Sequence, residues 1–402
     1  MRAGRIRGGG RALGGLGTLL LVLGSAGWLA ACGGWFRGVR RVPVLSDVGG
    51  QQDSLDEYPS VSVVLAARDE GAEVGEAVRS VLEQDYPGRL EVVAVDDRST
   101  DRTGEIFTEL AAEYPESLKP LRVDCLPEGW LGKNHALYLG AKQAEGEWLL
   151  FTDADVRFAP GCVGDAVRYA LRERLDHLTL SPELISRGVA LKSFVAAFVL
   201  VFEVTQRPWR AADPGAKEAV GVGSFNLLKR EAYLASGTHR AIRLRPDDDM
   251  RLARMLKEAG FSQGVAYGTG SISVEWHRSL AGAVRGLEKS IFPGLDYRLS
   301  TALVASFVLF LINVAPFFGT LFARRPAVRA ICFADVLAVV AMYVYGPRIS
   351  GSKLSPLYAA LHPFGAGALI YATLRSAAVT LARGGVEWRD TFYPLDLLKN
   401  AP

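Results

Sequence analysis

A long uncharged segment near the N-terminus sets the first constraint on the fold. No Asp, Glu, Lys or Arg occurs between Arg11 and Arg37, and about 20 apolar residues suffice for a helix to cross the hydrocarbon core of a bilayer. Three more apolar segments, at 299–323, 330–346 and 354–374, lie near the C-terminus. We therefore predict one N-terminal and about three C-terminal transmembrane helices around a soluble middle region.

The N-terminal segment has a second interpretation. Its apolar stretch ends in Leu29-Ala30-Ala31-Cys32, which resembles the processing site of a bacterial lipoprotein. The polar and acidic residues 42–58 predict a linker. The expected domains are an anchor with linker at 1–58, a soluble domain at 59–298 and a transmembrane region at 299–402. Basic residues flank several spans on both sides, so they do not fix the topology.

Composition excludes several classes of partner. The 402 residues carry 46 Lys+Arg and 43 Asp+Glu, for a net charge of +3, and no basic block marks a nucleic-acid surface. The four cysteines have no paired spacing, so neither a zinc site nor a disulfide framework is predicted, and a reducing compartment fits best. The five histidines share no metal-ligand spacing either. Any metal ion must therefore be held by carboxylates.

The soluble middle region alternates short β-branched runs with helical periodicity. Strands are predicted at 61–66, 91–95, 121–123 and 148–152, and helices at 74–84, 103–114, 135–144 and 250–259. This alternation is typical of an α/β fold with a parallel, doubly wound sheet. The first strand is not followed by GxGxxG, and the chain has no GxxxxGK[ST]. Dinucleotide oxidoreductases and P-loop enzymes are therefore disfavoured.

Carboxylates follow three of the predicted strands. They are Asp69 and Glu70, then Asp96 and Asp97, then Asp153 and Asp155. Ligands of doubly wound sheets bind at the carboxyl ends of the strands, so these side chains are expected to face one cleft. The Asp-x-Asp pair suits a divalent cation that carries a diphosphate, because such ions prefer carboxylate oxygens. A solvated turn would carry the same three letters.

Five segments together are more specific than any of them alone. They are VSVVLAARDEGAEVGEAVRSVLEQDYPGRLEVVAVDDRSTDRT, PEGWLGKNHAL, WLLFTDADVRF, VGVGSFNLLKREAY and PDDDMRLARMLKEAGF. This series, over roughly residues 60–290, resembles glycosyltransferase family 2 domains of the GT-A fold. The GWLGKN block and the arrangement of apolar spans are similar to the branch that glycosylates carotenoid, hopanoid and other lipid acceptors. The resemblance implies a membrane-bound, inverting enzyme that transfers one sugar from a nucleotide sugar, with UDP-sugar expected, to a lipid-like acceptor, using Mg²⁺ or Mn²⁺.

The resemblance also implies roles for individual residues. The nucleotide sugar is expected to contact Ala67, Arg68, Glu70, Asp96, Asp97, Lys133, Asp153, Gly223 and Asn226. Asp155 and Asp153 are the expected metal ligands, with Asp249 as the catalytic base and Asp248 as its alternative. Simpler interpretations stay open: Lys133 as a surface cation, Arg68 as a structural partner of Asp97, and the acidic run as a stabiliser of a helix N-terminus.

Three further features bear on the acceptor and the location. The QxxRW motif of processive polysaccharide synthases is absent, since the corresponding residues 273–278 read SVEWHR, so a long polymer product is not expected. The apolar segment 194–202 is too short to span a bilayer and suits an interfacial helix beside the acceptor, or a buried core helix. A cytoplasmic donor places the catalytic domain of a multi-pass cell-membrane protein in the cytoplasm. An exported ligand-binding lipoprotein and a nucleotidyltransferase of the same fold remain as alternatives.

Overall fold

A computed structural model describes residues 6–49, 57–389 and 391–399, with the backbone alone for residues 6–16. Its strands are β1 (Val61–Ala67), β2 (Leu90–Asp97), β3 (Leu118–Val123), β4 (Trp148–Asp153), β5 (Arg157–Phe158), β6 (His177–Ser181), β7 (Glu183–Leu184), β8 (Asn226–Lys229), β9 (Gln263–Tyr267), β10 (Ile272–Val274), β11 (Gly385–Trp388) and β12 (Thr391–Pro394). Its helices up to the end of the soluble region are α1 (Ile6–Gly38), α2 (Leu45–Gly49), α3 (Val74–Leu82), α4 (Thr103–Glu113), α5 (Gly132–Gln143), α6 (Cys162–Arg172), α7 (Val189–Gln206), α8 (Arg230–Ala235), α9 (Thr238–Ala241), α10 (Asp248–Glu258), α11 (Leu280–Gly286) and α12 (Ile291–Gly294). The remaining helices are α13 (Leu299–Leu309), α14 (Ala315–Phe322), α15 (Pro326–Ser350), α16 (His362–Arg383) and α17 (Leu395–Lys399).

The central sheet has seven strands in the order β3-β2-β1-β4-β8-β6-β9. The first four run parallel and are joined by crossover helices, while β8 runs antiparallel to both of its neighbours. Ala66 of β1 lies in register with Val95 of β2 and Asp153 of β4, so the carboxyl ends of these strands meet at one edge. The predicted α/β, mostly parallel, doubly wound sheet is confirmed.

Helices cover both faces of this sheet, which explains the continuous apolar strand sequences. In β2, Val92 and Ala94 pack into a core shared with α3, α4 and α6. Val93 and Val95, which alternate with them, pack into a second core with α5, α8 and α10. Because both faces are buried, these strands need apolar residues at every position, and only the strand ends are free to carry polar side chains.

Five helical segments in the described part of the chain are long and apolar enough to cross a membrane. They are Gly17–Arg41, Val189–Arg210, Leu299–Phe322, Pro326–Ser350 and Pro356–Arg383. Four correspond to the predicted spans. The fifth segment contains α7. It corrects the expectation that residues 194–202 are too short to span a bilayer, because the helix extends well beyond that apolar stretch. Large exposed side chains such as Leu23, Phe307 and Phe322 mark the apolar surfaces of these helices.

The predicted linker is only partly a linker. Val42 and Leu45 are buried, and Tyr267 of β9 donates a backbone hydrogen bond to the carbonyl of Pro43 at 2.8 Å. Residues 42–49 therefore pack against the soluble domain, while most of the remainder, 50–56, lies outside the described residues. Cys32 is also buried, inside α1 and against α15, so its packing supports the interpretation of this segment as a membrane anchor.

Candidate active site

A cavity of about 1020 Å³ opens at the carboxyl edge of the sheet. One part of its wall consists of strand ends and the loops that follow them, and another part comes from α7, from the segment before α13 and from the β11–β12 hairpin. The predicted residues that line it are Ala67, Arg68, Glu70, Asp97, Lys133, Asp153, Asp155, Gly223, Asp248 and Asp249. These residues come from six separate places in the sequence, and the fold brings them together.

The loops after β1 and β2 hold each other in place. The Asp69 carboxylate accepts a hydrogen bond from the backbone N–H of Thr100 at 2.8 Å, and the Asp69 N–H donates to the Ser99 hydroxyl at 3.0 Å. Asp69 and Arg98 have φ values of 54° and 60°, which turn both loops sharply at the cavity edge. The hydrogen bond from Thr100 lowers the pKa of Asp69. Asp69 is therefore a structural carboxylate of the rim.

Lys133 joins two of the acidic segments. It lies in the first turn of α5, with Nζ 2.9 Å from an Asp153 oxygen and 3.3 Å from an Asp248 oxygen. Burial by itself would lower the pKa of Lys133, but Asp153 and Asp248 outweigh this and raise the value. The interpretation of Lys133 as a surface cation at a helix start is wrong, because the side chain is a bridge between the end of β4 and the start of α10.

Asp249 lies beside a glycine loop. Its carboxylate accepts the N–H of Gly223 at 2.9 Å, and a Cβ added at Gly223 would be 2.7 Å from an Asp153 oxygen. Only glycine therefore allows this loop to approach both acidic segments. Burial and the neighbouring Asp248 raise the pKa of Asp249 to about 7. Near neutral pH this carboxylate can take up a proton, as a general base requires.

Among the described residues no ion pair reaches the carboxylate of Asp155, which lines the cavity two residues beyond Asp153. Burial, followed by the charges of Asp153 and Glu70, raises the pKa of Asp155 to about 7. Carboxylate oxygens are the donors that Mg²⁺ and Mn²⁺ prefer, and Asp153 and Asp155 present them to the same cavity. No group of three or more His, Cys, Asp or Glu side chains among the described residues is arranged to hold a metal ion.

The other predicted residues occupy more varied positions. Asp97 is paired with its neighbour Arg98 at 2.8 Å. Asp96 does not line the cavity and accepts hydrogen bonds from the Ser99 N–H and from Arg122. Asn226, on β8, is bonded to the Val222 carbonyl and to His177. The side chains of Asp96 and Asn226 are therefore engaged within the fold.

Part of the wall was not predicted from the sequence. In the β11–β12 hairpin, Arg389 contacts the carbonyl of Arg68 and the carboxylate of Glu70. Trp388, from the same hairpin, lies 4.3 Å from Lys289 Nζ, measured to the ring centroid. Arg389 and Glu70 are more than 300 positions apart in the sequence. No motif in the C-terminal segment indicates that the chain returns to the cavity.

Comparison with known proteins agrees with this geometry. Residues 62–235 match the family model described as Glycosyl transferase family 2. A 4,4'-diaponeurosporenoate glycosyltransferase of Staphylococcus aureus strain USA300 is 25% identical over 355 residues, covering 84% of this chain and 89% of that protein. The protein of the same name from strain bovine RF122 / ET3-1 is 27% identical over 219 residues, covering 54% of this chain and 53% of that protein.

A solved structure has the same fold. A mannosyltransferase from Pyrobaculum calidifontis, in complex with GDP-Man and Mn²⁺, aligns with a TM-score of 0.52 at 18% identity, covering 90% of this chain and 98% of that one. The shared fold is the GT-A fold. Residues 62–235 match a glycosyl transferase family 2 domain, and the resemblance predicted from the sequence is confirmed.

Proposed function

We propose that the protein is a membrane-bound, inverting glycosyltransferase that moves a single sugar from a nucleotide sugar, with UDP-sugar as the first donor to test, to a lipid-like acceptor. The observation that carries this proposal is the pairing of two surfaces in one cavity. Acidic and basic side chains occupy the strand-end wall, while Phe198 and Phe202 of α7 line the same cavity. Trp276 packs on Phe198 with ring centroids 4.8 Å apart. These aromatic side chains offer an apolar acceptor a matching surface beside the acidic and basic side chains.

The chemistry follows from the position of the acidic residues. Asp249 accepts the proton of the acceptor hydroxyl as the hydroxyl oxygen bonds to the anomeric carbon. The bond between that carbon and the diphosphate oxygen breaks in the same step, so the anomeric configuration inverts. Asp153 and Asp155 would hold a divalent cation, which when bound offsets negative charge on the diphosphate. The names of the diaponeurosporenoate glycosyltransferases support an apolar acceptor for this chain as well.

The test is donor binding followed by transfer. Calorimetry on the detergent-purified full chain would compare UDP-sugars and GDP-sugars with and without Mn²⁺, in wild type and in Asp155→Ala. We expect metal-dependent binding of one donor class that Asp155→Ala removes. Asp124→Ala is the matched control, because the Asp124 side chain is 88% exposed and lies outside the cavity. Absence of nucleotide binding to the wild type under every metal condition would contradict the proposal.

The proposed arrangement also includes residues 59–298 as the catalytic domain, anchored by 1–58 and 299–402, on the cytoplasmic side of the cell membrane. Nucleotide sugars are made in the cytoplasm, which supports this orientation. The orientation can be tested with a cysteine of the chain itself. Cys125 is exposed on the soluble domain, whereas Cys32, Cys162 and Cys332 are buried. A membrane-impermeant maleimide should label inverted vesicles at Cys125 and leave intact cells unlabelled. Labelling of intact cells at Cys125 would place the domain outside.

A further inference from the structure

Three basic side chains, Lys133, Lys289 and Arg389, line the same cavity as the Asp153 carboxylate. Burial by itself would raise the pKa of Asp153, but these positive charges outweigh it and lower the value. Two of them are already paired. Lys133 bridges Asp153 and Asp248, and Arg389 contacts Glu70. Lys289 differs, because no carboxylate in the described part of the chain lies within 4.0 Å of its Nζ, and its contact is the face of Trp388. Of these three side chains, Lys289 is therefore the one that the described residues leave without a carboxylate partner.

The segment that carries Lys289 is fixed from the membrane side. The neighbouring Glu288 pairs with Arg375 of α16 at 2.5 Å, and its carbonyl accepts a hydrogen bond from Ser376 at 2.7 Å. Glu288 is thus turned away and does not neutralise Lys289. The Trp388 ring, 4.3 Å from Nζ, limits how far the flexible side chain can withdraw. Both elements that hold Lys289 in the cavity leave it without a counter-ion among the described residues.

Charge balance separates the roles of the two lysines. Lys133 carries one positive charge between two carboxylates, so that group is net negative and offers no attraction to an incoming anion. Lys289 is partly buried, and its pKa is lowered to about 8 by burial and by the positive charges of Lys133 and Arg389. An anionic group placed beside Lys289 would restore a favourable environment for its ammonium form.

We propose that Lys289 is the residue that binds the sugar-linked, terminal phosphate of the donor diphosphate and stabilises it as the leaving group. This inference rests on the proposed function. A diphosphate supplies several charged acceptor oxygens to a compact ammonium group, which is the pairing that phosphate-binding lysines use. Lys289 lines the same cavity as Asp153, the first acidic residue of the Asp-x-Asp pair, and we therefore assign it to the donor side. The sequence resemblance implied a contact with the nucleotide sugar for Lys133, and the assignment gives the contact with the terminal phosphate to Lys289.

The experiment compares nucleotides that differ by one phosphate. Calorimetry on the detergent-purified full chain with Mn²⁺ would measure UDP against UMP and GDP against GMP, in wild type, Lys289→Met and Lys289→Arg. Methionine keeps the length of the stem and can still pack on Trp388. We expect Lys289→Met to weaken the diphosphate about 10–100-fold, to leave the monophosphate within about threefold, and Lys289→Arg to recover part of the loss. Lys142→Gln, an exposed lysine above Tyr138, is the control and should match the wild type.

The alternative outcomes are separable. Equal diphosphate affinity in wild type and Lys289→Met would overturn the assignment while leaving the proposed function intact. Unchanged nucleotide affinity with a raised acceptor KM would also overturn it, and would assign Lys289 to an acidic group on the acceptor. An equal loss of diphosphate and monophosphate affinity, with a lowered midpoint of thermal unfolding, would indicate a structural role for Lys289 and would overturn the assignment. If the wild type binds no nucleotide at all, the proposed function itself fails and the assignment falls with it.

Discussion

The cavity has two halves that are built in different ways. The strand-end half consists of the strand ends, the loops that follow them and the first turns of α5 and α10, and the C-terminal half consists of the segment before α13 and the β11–β12 hairpin. The strand-end half holds Lys133, Asp153 and Asp248 in contacts of 2.9–3.3 Å, which place one positive charge between two carboxylates. The C-terminal half presents Lys289, which pairs with no carboxylate of the described residues and lies against the ring of Trp388. The group around Lys133 is therefore net negative, whereas Lys289 adds a positive charge. This difference indicates that the two halves suit ligand groups of opposite charge.

The C-terminal half also connects the cavity to the membrane region. The segment around Lys289 is tied to α16 through Arg375 and Ser376, and α16 leads directly into the β11–β12 hairpin. The part of the wall that carries Lys289 is therefore attached to a long apolar helix, although α16 itself does not line the cavity.

The largest effect is expected at the acidic end of α10, in the strand-end half. Asp249→Asn should reduce turnover about 10²–10⁴-fold, because the amide cannot accept the hydroxyl proton, while donor affinity stays near the wild-type value. Single-turnover transfer and calorimetry measure the two quantities. Glu258→Gln, at the exposed far end of the same helix, is the control. A severe loss in Asp248→Asn with normal turnover in Asp249→Asn would assign the base to Asp248.

The pH dependence of the reaction provides the next test of the same half. Burial and Asp248 raise the pKa of Asp249 to about 7, so the carboxylate is protonated, and inactive as a base, below that pH. We expect kcat/KM to rise with pH through about 7 and to fall to about one tenth of its plateau near pH 6. A rate independent of pH between 5.5 and 8 would argue against a base with this pKa.

Much of this half could be predicted from the sequence, because it depends on short-range patterns. The strands, their order along the chain and the carboxylates at their ends follow from periodicity and motif, and β1 to β4 match the predicted segments closely. The salt bridge of Asp97 was harder to predict. It goes to Arg98 because the backbone at Arg98 has φ of 60°, and a left-handed turn at arginine leaves no signal in the sequence.

The C-terminal half could not be predicted for a different reason. The contact of Arg389 with Glu70 joins residues 319 positions apart, and its formation depends on the path of several long helices between them. Hydropathy gives the length of such helices and not the place where the chain emerges from them. The extent of α7 was missed similarly, since Lys192 and the polar residues near its C-terminal end conceal a continuous helix from a search for apolar runs.

Stability measurements should separate the two lysines directly. Lys133→Met leaves Asp153 and Asp248 without their cation, and we expect a loss of about 1–3 kcal/mol in the free energy of unfolding, reduced from the fully buried case because the Asp153 side chain is 42% exposed. Lys289→Met removes a charge that has no carboxylate partner among the described residues, and it should leave stability unchanged or slightly higher. Denaturation of both variants in one detergent tests this. Equal losses in both would remove the distinction between the halves.

The smallest effect is expected at the rim of the C-terminal half. Arg389→Gln breaks a contact with Glu70 in which the side chains are 41% and 26% exposed, and exposed ion pairs contribute about 0.2–1 kcal/mol. The donor KM should therefore rise by no more than about fivefold, with kcat little changed. Arg383→Gln removes a comparable exposed pair with Glu387, away from the cavity, and is the matched control. A rise of 50-fold or more in Arg389→Gln alone would mean that the hairpin contacts the donor itself, and the C-terminal half would then hold a second ligand-binding cation beside Lys289.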